Sequence, residues 1–513
     1  KQNLAQYYIY ITLTAAVSIG SVLSNNLILL LVLWGFLGLT LYLLINMGAV
    51  DSSAAAKKAF IIVGGSDALM LLGICIIYYL TGTFQMDKIQ LSILNSKLAA
   101  FAYLCLAAAC FAKAGAMPFH SWIPDCAQQA PVPVAAYLPA SLDKLLGIYL
   151  LARVSLNLFV MNNAMNIFLM LIGAFTIIAA VMMALVQHNM KRLLGYHAVS
   201  QVGYMVLGIG TGTPIGIAGG IFHMLNNAIY KACLFLSAGN VEYRAKTSDL
   251  DELGGLAKFM PLTYISCLIA CLSISGVPPF NGFASKWMIY QGLITQLSAA
   301  NYAVRITSIL CLAAAMFGSA LTLASFMKLL HAVFLGQGAN GRGQEANEVS
   351  WTMWLPCIIL AALCVVFGVF AYAIPLRYFI MPAVGGVTFI GTWYAAKSTA
   401  FIIAGLVLGT LIFKLKSIRP ALRKDGPYTG GETTVLTGDR VTGTEFYNTV
   451  KEFGLLKGIY KWAGKGDFDI YEQGKKAAFG IGGFFQYLHN GILPTYLVWT
   501  LLGMIGLFWV LLK

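Results

Sequence analysis

The sequence of 513 residues predicts an all-α, polytopic membrane protein of about fourteen transmembrane helices, and three observations carry that class. Hydrophobic residues make up 59 % of the chain and charged residues only 10 %, against roughly a quarter charged in an ordinary soluble domain. Mean hydropathy is +0.78. The apolar residues fall into long runs near the roughly 20 residues that a membrane-crossing helix needs, with no period-2 alternation of the kind a β-barrel requires.

This composition excludes a soluble enzyme, a disordered chain and a nucleic-acid-binding module. The formal charge of +14 does not signal nucleic acid, because there is no basic arm with interleaved aromatics. The Lys and Arg sit between apolar runs, as in a multi-pass membrane protein. None of the ten cysteines forms a CxxC pair and most lie inside apolar runs. They read as small hydrophobes packed between helices, and neither an iron–sulfur cluster nor a metal site is expected in this chain. The sequence starts at Lys1 without a secretory signal, so an incomplete or processed N-terminus is the expectation.

In order, the apolar runs cover 7–23, 27–47, 59–81, 98–117, 133–154, 164–187, 192–211, 214–238, 260–275, 283–298, 304–335, 351–375, 385–413 and 493–512. The run 385–413 carries Gly385-Gly386 and is expected to bend or split. If the spans alternate, the segments after the second, sixth and eighth share one side, with Lys57, Lys58, Lys191, Arg192, Arg244, Lys246 and Lys258. The opposite side carries only Lys88 and Lys97. Positive loops face the cytoplasm, and a prokaryotic plasma membrane fits.

The segment 414–476 differs, holding 20 of the 52 charged residues. After a Gly/Thr-rich stretch from Gly426 to Gly443 comes an amphipathic piece, Glu445 to Trp462. Its Phe446, Val450, Phe453, Leu456 and Tyr460 recur at helical spacing. A further helical piece, Ile470 to Leu488, leads to the last span. Either a cytoplasmic loop or a helix lying along the membrane or along partner subunits fits.

An ionisable group in a span costs at least about 2.5–3.5 kcal/mol at the helix centre and is by default a functional candidate. Asp67 lies in the third span, and Lys113 just before Pro118. Asp143 and Lys144 lie in the fifth span. His223, Asn227 and Lys231 are spaced i, i+4, i+8 and so share one helix face. Lys286 follows Pro278-Pro279, and Lys328 and His331 end the eleventh span. A desolvated lysine releases its proton more readily than one in water, and histidine titrates near neutrality. A row of such groups joined by water can carry protons. Simpler roles also fit: Lys231 snorkelling to an interface, Asp143 neutralising Lys144, and Lys328 and His331 interfacial.

One pattern occurs twice. Lys113, Pro118-Phe119 and Trp122 read as a broken helix, and Pro278-Pro279-Phe280, Lys286 and Trp287 look like its counterpart. Paired discontinuous helices point to inverted repeats with an ion path at their interface. The expected organisation is a first repeat over 1–154, a second over 155–335, further helices over 336–413, a lateral amphipathic segment over 414–492 and a final span over 493–513.

Several segments resemble the antiporter-like subunits of the complex I superfamily. They are Lys58–Ile62 with Asp67, Ala112-Lys113 through Pro118–Asp125 to Ala130-Pro131, Met190–Tyr204, Phe222–Phe235 and Ser275–Lys286, in family order over about 27–335. That superfamily includes NADH:quinone oxidoreductase, membrane-bound hydrogenase and formate hydrogenlyase subunits, and multisubunit cation/proton antiporter subunits. The resemblance implies a proton relay of Lys113, Lys144, His223 and Lys286, with Asp67, Asp143 and Lys231 modulating it. A second histidine found in some members falls on Asn227. Where the family usually has a glutamate after a tryptophan, this sequence has Trp34-Gly35. Lys113 would thus lack its usual partner, unless Asp67 or another subunit replaces it. The chain begins at what resembles the family's fourth helix, so about three helices are expected ahead of it.

The run Gly430–Glu432, Gly443–Glu452 and Phe468–Lys475 looks closer to hydrogenase-type and formate hydrogenlyase-type members. The implied function is a proton- or sodium-translocating subunit of a redox complex. Its partners would be other membrane subunits, further antiporter-like ones among them, and a peripheral arm holding iron–sulfur clusters and a nickel–iron or flavin centre. The alternatives are a subunit of NADH:quinone oxidoreductase or of a redox-free cation/proton antiporter. A third reading, a structural subunit with a dead channel, follows from Gly35.

Overall fold

Polar residues placed just ahead of apolar runs start most of the helices. In a computed structural model describing residues 4–48, 51–336, 347–389, 394–414 and 444–512, Asn26 Oδ1 accepts from the backbone N–H groups of Ile28 and Leu29 at 2.9 and 3.2 Å. Ser96, Asn162, Asn189, Thr213 and Asn301 cap later helices in the same way. Such side chains satisfy amides that the first helical turn leaves open.

The chain forms two compact units, Lys1–Glu452 and Phe453–Lys513. The first contains helices α1 (Leu4–Leu23), α2 (Leu27–Ile45), α3 (Ser52–Thr81), α4 (Lys97–Ala114) and α5 (Trp122–Gln129). The next transmembrane stretch is composite: α6 (Val132–Tyr137), a π-helical turn at Leu138–Leu142, α7 (Asp143–Arg153) and a second π turn. Then come α8 (Asn163–Leu185), α9 (Met190–Gly210), α10 (Pro214–Ala245), α11 (Pro261–Ser275), α12 (Asn281–Thr295), α13 (Tyr302–Leu330) and α14 (Trp351–Val369). A short α15 (Met381–Val384) ends at Gly385, and α16 (Ala395–Lys414) follows. Among the described residues of the apolar run 385–413, helix begins only at Ala395, and Gly385-Gly386 follows the end of α15 instead of bending or splitting a span. Two residues of β1 (Leu91–Ser92) pair in parallel with β2 (Phe159–Val160).

Nine helices among the described residues are long and apolar enough to cross a membrane. Of the fourteen expected spans, 192–211, 214–238, 260–275, 283–298 and 385–413 lie outside that set; the first four are helical, and 385–413 contributes only the shorter apolar helix Lys397–Ile412. Their composition explains why. The helices α9 and α10 carry lysine, histidine and amide side chains inside the protein, and α11 and α12 are the 15-residue halves of a broken helix. Every residue of α9 except Arg192 is buried, so its neighbours are helices rather than lipid. Small residues permit this: a Cβ on Gly173 of α8 would meet Gly203 O at 2.8 Å and Leu207 N at 2.7 Å.

The cationic residues of the positive side sit on helix ends rather than in free loops. Lys58 pairs with Asp125 at 2.7 Å, Arg192 with the same carboxylate at 3.4 Å, and Lys191 with Glu242 at 2.9 Å. These bonds tie together the ends of α3, α5, α9 and α10. Nine of the ten cysteines are buried, as expected of small apolar packers.

The amphipathic piece over Glu445–Trp462 runs from the end of the first unit into the second and is not one helix. A 3-10 segment (Glu445–Glu452) closes the first unit, Phe453 is extended, and a helix runs from Gly454 to Gly464. A helix at Ile470–Leu488 follows, begun by Asp469, whose carboxylate accepts from Tyr471 N at 2.9 Å. A 19-residue apolar helix, Leu493–Leu511, ends the chain. The stretch from Gly426 to Gly443 and residues 430–432 of the hydrogenase-like run lie outside the described residues.

Candidate functional site

The two helix breaks that the sequence suggests are built alike. α4 ends at Gly115 with φ 81° and ψ 36°, and α11 ends at Gly276 with φ 81° and ψ 38°. Only glycine enters this left-handed region freely. Each glycine is followed two or three residues on by a cis X–Pro bond, Met117–Pro118 and Pro278–Pro279. Each break exposes the last carbonyls of a helix inside the protein, where they need donors. Trp122 Nε1 donates to Ala112 O at 3.0 Å, and Lys144 Nζ to Ala114 O at 3.4 Å. At the second break Lys286 Nζ donates to Ile274 O at 2.9 Å.

Lys113 occupies the last turn of α4, fully buried. Its Nζ lies 3.5 Å from Asp143 Oδ1 and 5.4 Å from the centre of the Trp34 ring. The consecutive residues Lys113 and Ala114 thus meet the consecutive residues Asp143 and Lys144. At this separation the Coulomb attraction is roughly 5 kcal/mol for an effective dielectric constant near 20, of the order of the penalty for desolvating an ion. Asp143 therefore faces Lys113, not Lys144 alone. Gly35, where the resemblance places a carboxylate, has open space around the position of a Cβ. Asp67 is half-buried, with an Oδ1 that makes no hydrogen bond.

The face of α10 predicted from i, i+4, i+8 spacing is buried throughout. Its three polar residues reach different elements. His223 Nε2 lies 3.0 Å from Gln201 Oε1 of α9, and its Nδ1 lies 2.9 Å from Ser285 Oγ of α12. Asn227 Nδ2 donates to Ala140 O in the π turn at 3.1 Å. Lys231 Nζ donates to Leu194 O at 2.8 Å, so it does not reach an interface. This one face therefore links the segment before Lys144 to the helix that carries Lys286. Among the described residues, no hydrogen bond joins Lys144 directly to His223.

Lys286 lies in a cage of neutral groups. Besides Ile274 O it donates to Ser319 Oγ at 3.0 Å and sits 4.5 Å above the Tyr204 ring. Tyr204 and Tyr290 hydroxyls both approach Ser319 Oγ, at 3.1 and 2.9 Å. Lys328, expected at an interface, is buried and donates to Leu185 O and Gln187 O at 2.7 and 2.8 Å, at the end of α8. His331 is exposed. The buried lysines are thus of two kinds. Lys113 and Lys191 have carboxylates, Asp143 and Glu242, whereas Lys144, Lys231, Lys286 and Lys328 are held by carbonyl and hydroxyl dipoles, several at the negative ends of helices.

Sequence reading missed the neutral partners. His197, fully buried, lies 2.7 Å from Ser325 Oγ, and Gln201, one turn further along α9, reaches His223. Their i, i+4 spacing was the available signal. Ser285, Ser319, Tyr204 and Tyr290 have no signature in the sequence, because Ser and Tyr are common in helix interfaces.

A model of the family described as NADH:quinone oxidoreductase/Mrp antiporter, transmembrane, matches residues 24–312. The chain is 29% identical over 502 residues to a Na(+)/H(+) antiporter subunit of Alkalihalophilus pseudofirmus, covering 90% of this chain and 61% of that one. It is 31% identical over 344 residues to hydrogenase-4 component B of Escherichia coli, covering 64% and 51%. The chain thus spans about half to three fifths of the length of these relatives. Its fold is similar to a chain in the structure of the membrane-bound sulfane sulfur reductase, an archaeal respiratory membrane complex. The TM-score is 0.80 at 24% identity, over 98% of this chain and 83% of that one.

Proposed function

Because the chain belongs to the NADH:quinone oxidoreductase/Mrp antiporter transmembrane family and is an antiporter-like, multi-pass membrane subunit, we propose that it carries protons across the prokaryotic plasma membrane within a multisubunit cation/proton antiporter. The observation that carries this reading is the chain of buried ionisable side chains at the two helix breaks. Lys113 with Asp143, then Lys144, His223 and Lys286 occupy the protein interior at positions where an isolated charge is costly. Groups that exchange protons with water chains between them supply stepping points, and each step changes the field at the next. Lys231 and Asp67 modulate that field.

Of the two kinds of assembly that the sequence suggests, the redox-free antiporter is the better supported, by the similarity to the Na(+)/H(+) antiporter protein over 90% of the chain. The cation exchanged for protons is then an alkali ion, and the partners are other membrane subunits. A second reading keeps the relay and attaches it to a redox arm with iron–sulfur clusters and a nickel–iron or flavin centre. The similarity to hydrogenase-4 component B favours it.

The test is to purify the intact complex in mild detergent, measure its metals and subunit masses, and reconstitute it in vesicles. A sodium gradient that moves protons without an electron donor, in a complex without iron, is the expected result. Proton movement only on adding an electron donor, with iron and a redox subunit present, would replace it with the second reading. No proton movement under either condition would remove both.

A further inference from the structure

Asp143 and Lys144 are consecutive at the start of α7, and both meet the end of α4. The carboxylate Oδ1 is 3.5 Å from Lys113 Nζ, while Oδ2 is buried and makes no hydrogen bond. Among the described residues, the hydrogen bond that Lys144 makes is a long one of 3.4 Å to Ala114 O. No second carboxylate pairs with either lysine among the described residues. The π turn at Leu138–Leu142, directly before Asp143, leaves carbonyls outside the α-helical pattern. Ala136 O accepts from Ser141 Oγ at 3.0 Å, and Ala140 O accepts from Asn227 Nδ2. Such turns mark places where a helix is re-aimed locally.

We propose that Asp143 is a single counter-ion shared in turn by Lys113 and Lys144, so that the two lysines carry their protons alternately. Two buried ammonium groups and one fully buried carboxylate leave an uncompensated charge in a medium that penalises it; half-buried Asp67 of α3 attracts Lys113, and buried Lys231 of α10 repels Lys144. The favoured states therefore have one lysine protonated and paired, and the other neutral. When Lys113 gives its proton to water on its own side, the carboxylate charge is left to Lys144, which takes up a proton from the water beside it. When Lys144 passes that proton to water on the Asn227 and His223 side, Lys113 takes up a proton from the water beside it and recovers its partner. Atoms and charge balance at each step, because one proton leaves as one arrives. The gradient that drives the cycle then sets its direction. This inference rests on the proton-carrying reading of the two lysines. Asp143 acts through them and is a positioning residue.

The test uses the whole complex, in detergent for thermal stability and in vesicles for transport. Two double-mutant cycles are made, Asp143→Asn with Lys113→Met and Asp143→Asn with Lys144→Met. A shared carboxylate predicts non-additive stability in both cycles, whereas a fixed pair predicts it with Lys113 alone. Asp143→Asn is expected to slow transport at least tenfold and to flatten its pH profile, and Asp143→Glu to restore both. Additivity in the Lys144 cycle would overturn the proposal. So would wild-type transport with an unchanged pH profile in Asp143→Asn, or an assembled Asp143→Glu complex as slow as Asp143→Asn. If Lys113→Met and Lys144→Met both transport normally, the proton-carrying reading itself fails, which separates the two failures. Should Asp143→Asn not assemble, the Asp143→Glu pH profile and the stability of each Lys→Met variant still decide, because sharing predicts that either lysine alone suffices to neutralise the carboxylate. A Lys144→Met complex that keeps wild-type stability, beside a Lys113→Met complex that is lost, agrees with a fixed pair and overturns sharing.

Discussion

Lys113 and Asp143 face each other at 3.5 Å with essentially no solvent contact. They are thirty residues apart, on α4 and α7, which meet at the first break. A buried pair of this kind adds little net stability, but removing one partner strands the other. Asp143→Ala is expected to lower the stability of the complex by about 3–5 kcal/mol. Lys113→Ala/Asp143→Ala should recover much of that loss. Thermal unfolding of the purified complex, followed by intrinsic fluorescence, checks both, and equal losses in single and double variants would remove the pairing.

A glycine one turn further along α7 sets this contact. A Cβ on Gly147 would meet Ala114 N at 2.6 Å and Cys110 O at 2.8 Å. Gly147→Ala should therefore push α7 off α4, separate Lys113 from Asp143 and cost about 1–3 kcal/mol. Gly35→Ala meets open space and is expected to change stability by less than about 0.5 kcal/mol. Expression level and melting temperature of the two variants side by side provide the comparison.

Lys286 should behave differently from Lys113. It is held by Ile274 O, Ser319 Oγ and the Tyr204 ring, with no carboxylate to strand. Lys286→Met is expected to assemble with near-normal stability and to lose at least about tenfold of its proton transport. Vesicle acidification assays joined to native gels separate the two effects. Normal transport would take Lys286 out of the relay.

The first break should depend on Trp122 and Gly115. Trp122→Phe removes the donor to Ala112 O and leaves a buried carbonyl unpaired, a cost of about 1–3 kcal/mol. Gly115→Ala adds a Cβ at φ 81° that collides with Ile123 Cδ1, and is expected to cost more than Trp122→Phe. Ranking the two variants and the wild type by heat resistance in membranes checks the order.

The membrane class, the positions of most spans, the two Pro-linked breaks and the buried face of α10 follow from the sequence alone. Each is a local pattern: run length, proline, or helical spacing. The His223, Asn227 and Lys231 face is one example, since i, i+4, i+8 spacing aligns side chains wherever the helix lies. The partners are not local. Asp143 beside Lys144 in the chain suggests that the two neutralise each other, and only the packing of α7 on α4 brings Lys113 to the same carboxylate, at 3.5 Å. Likewise Lys328 near a helix end reads as interfacial, and only the closing of α13 on α8 shows it buried against Leu185 O and Gln187 O. Residue types and their spacing were enough to say which side chains are costly to bury and on which helix face they stand. Which charge meets which dipole was settled in three dimensions, because those contacts join residues far apart in the chain through the close packing of helices at glycine and alanine.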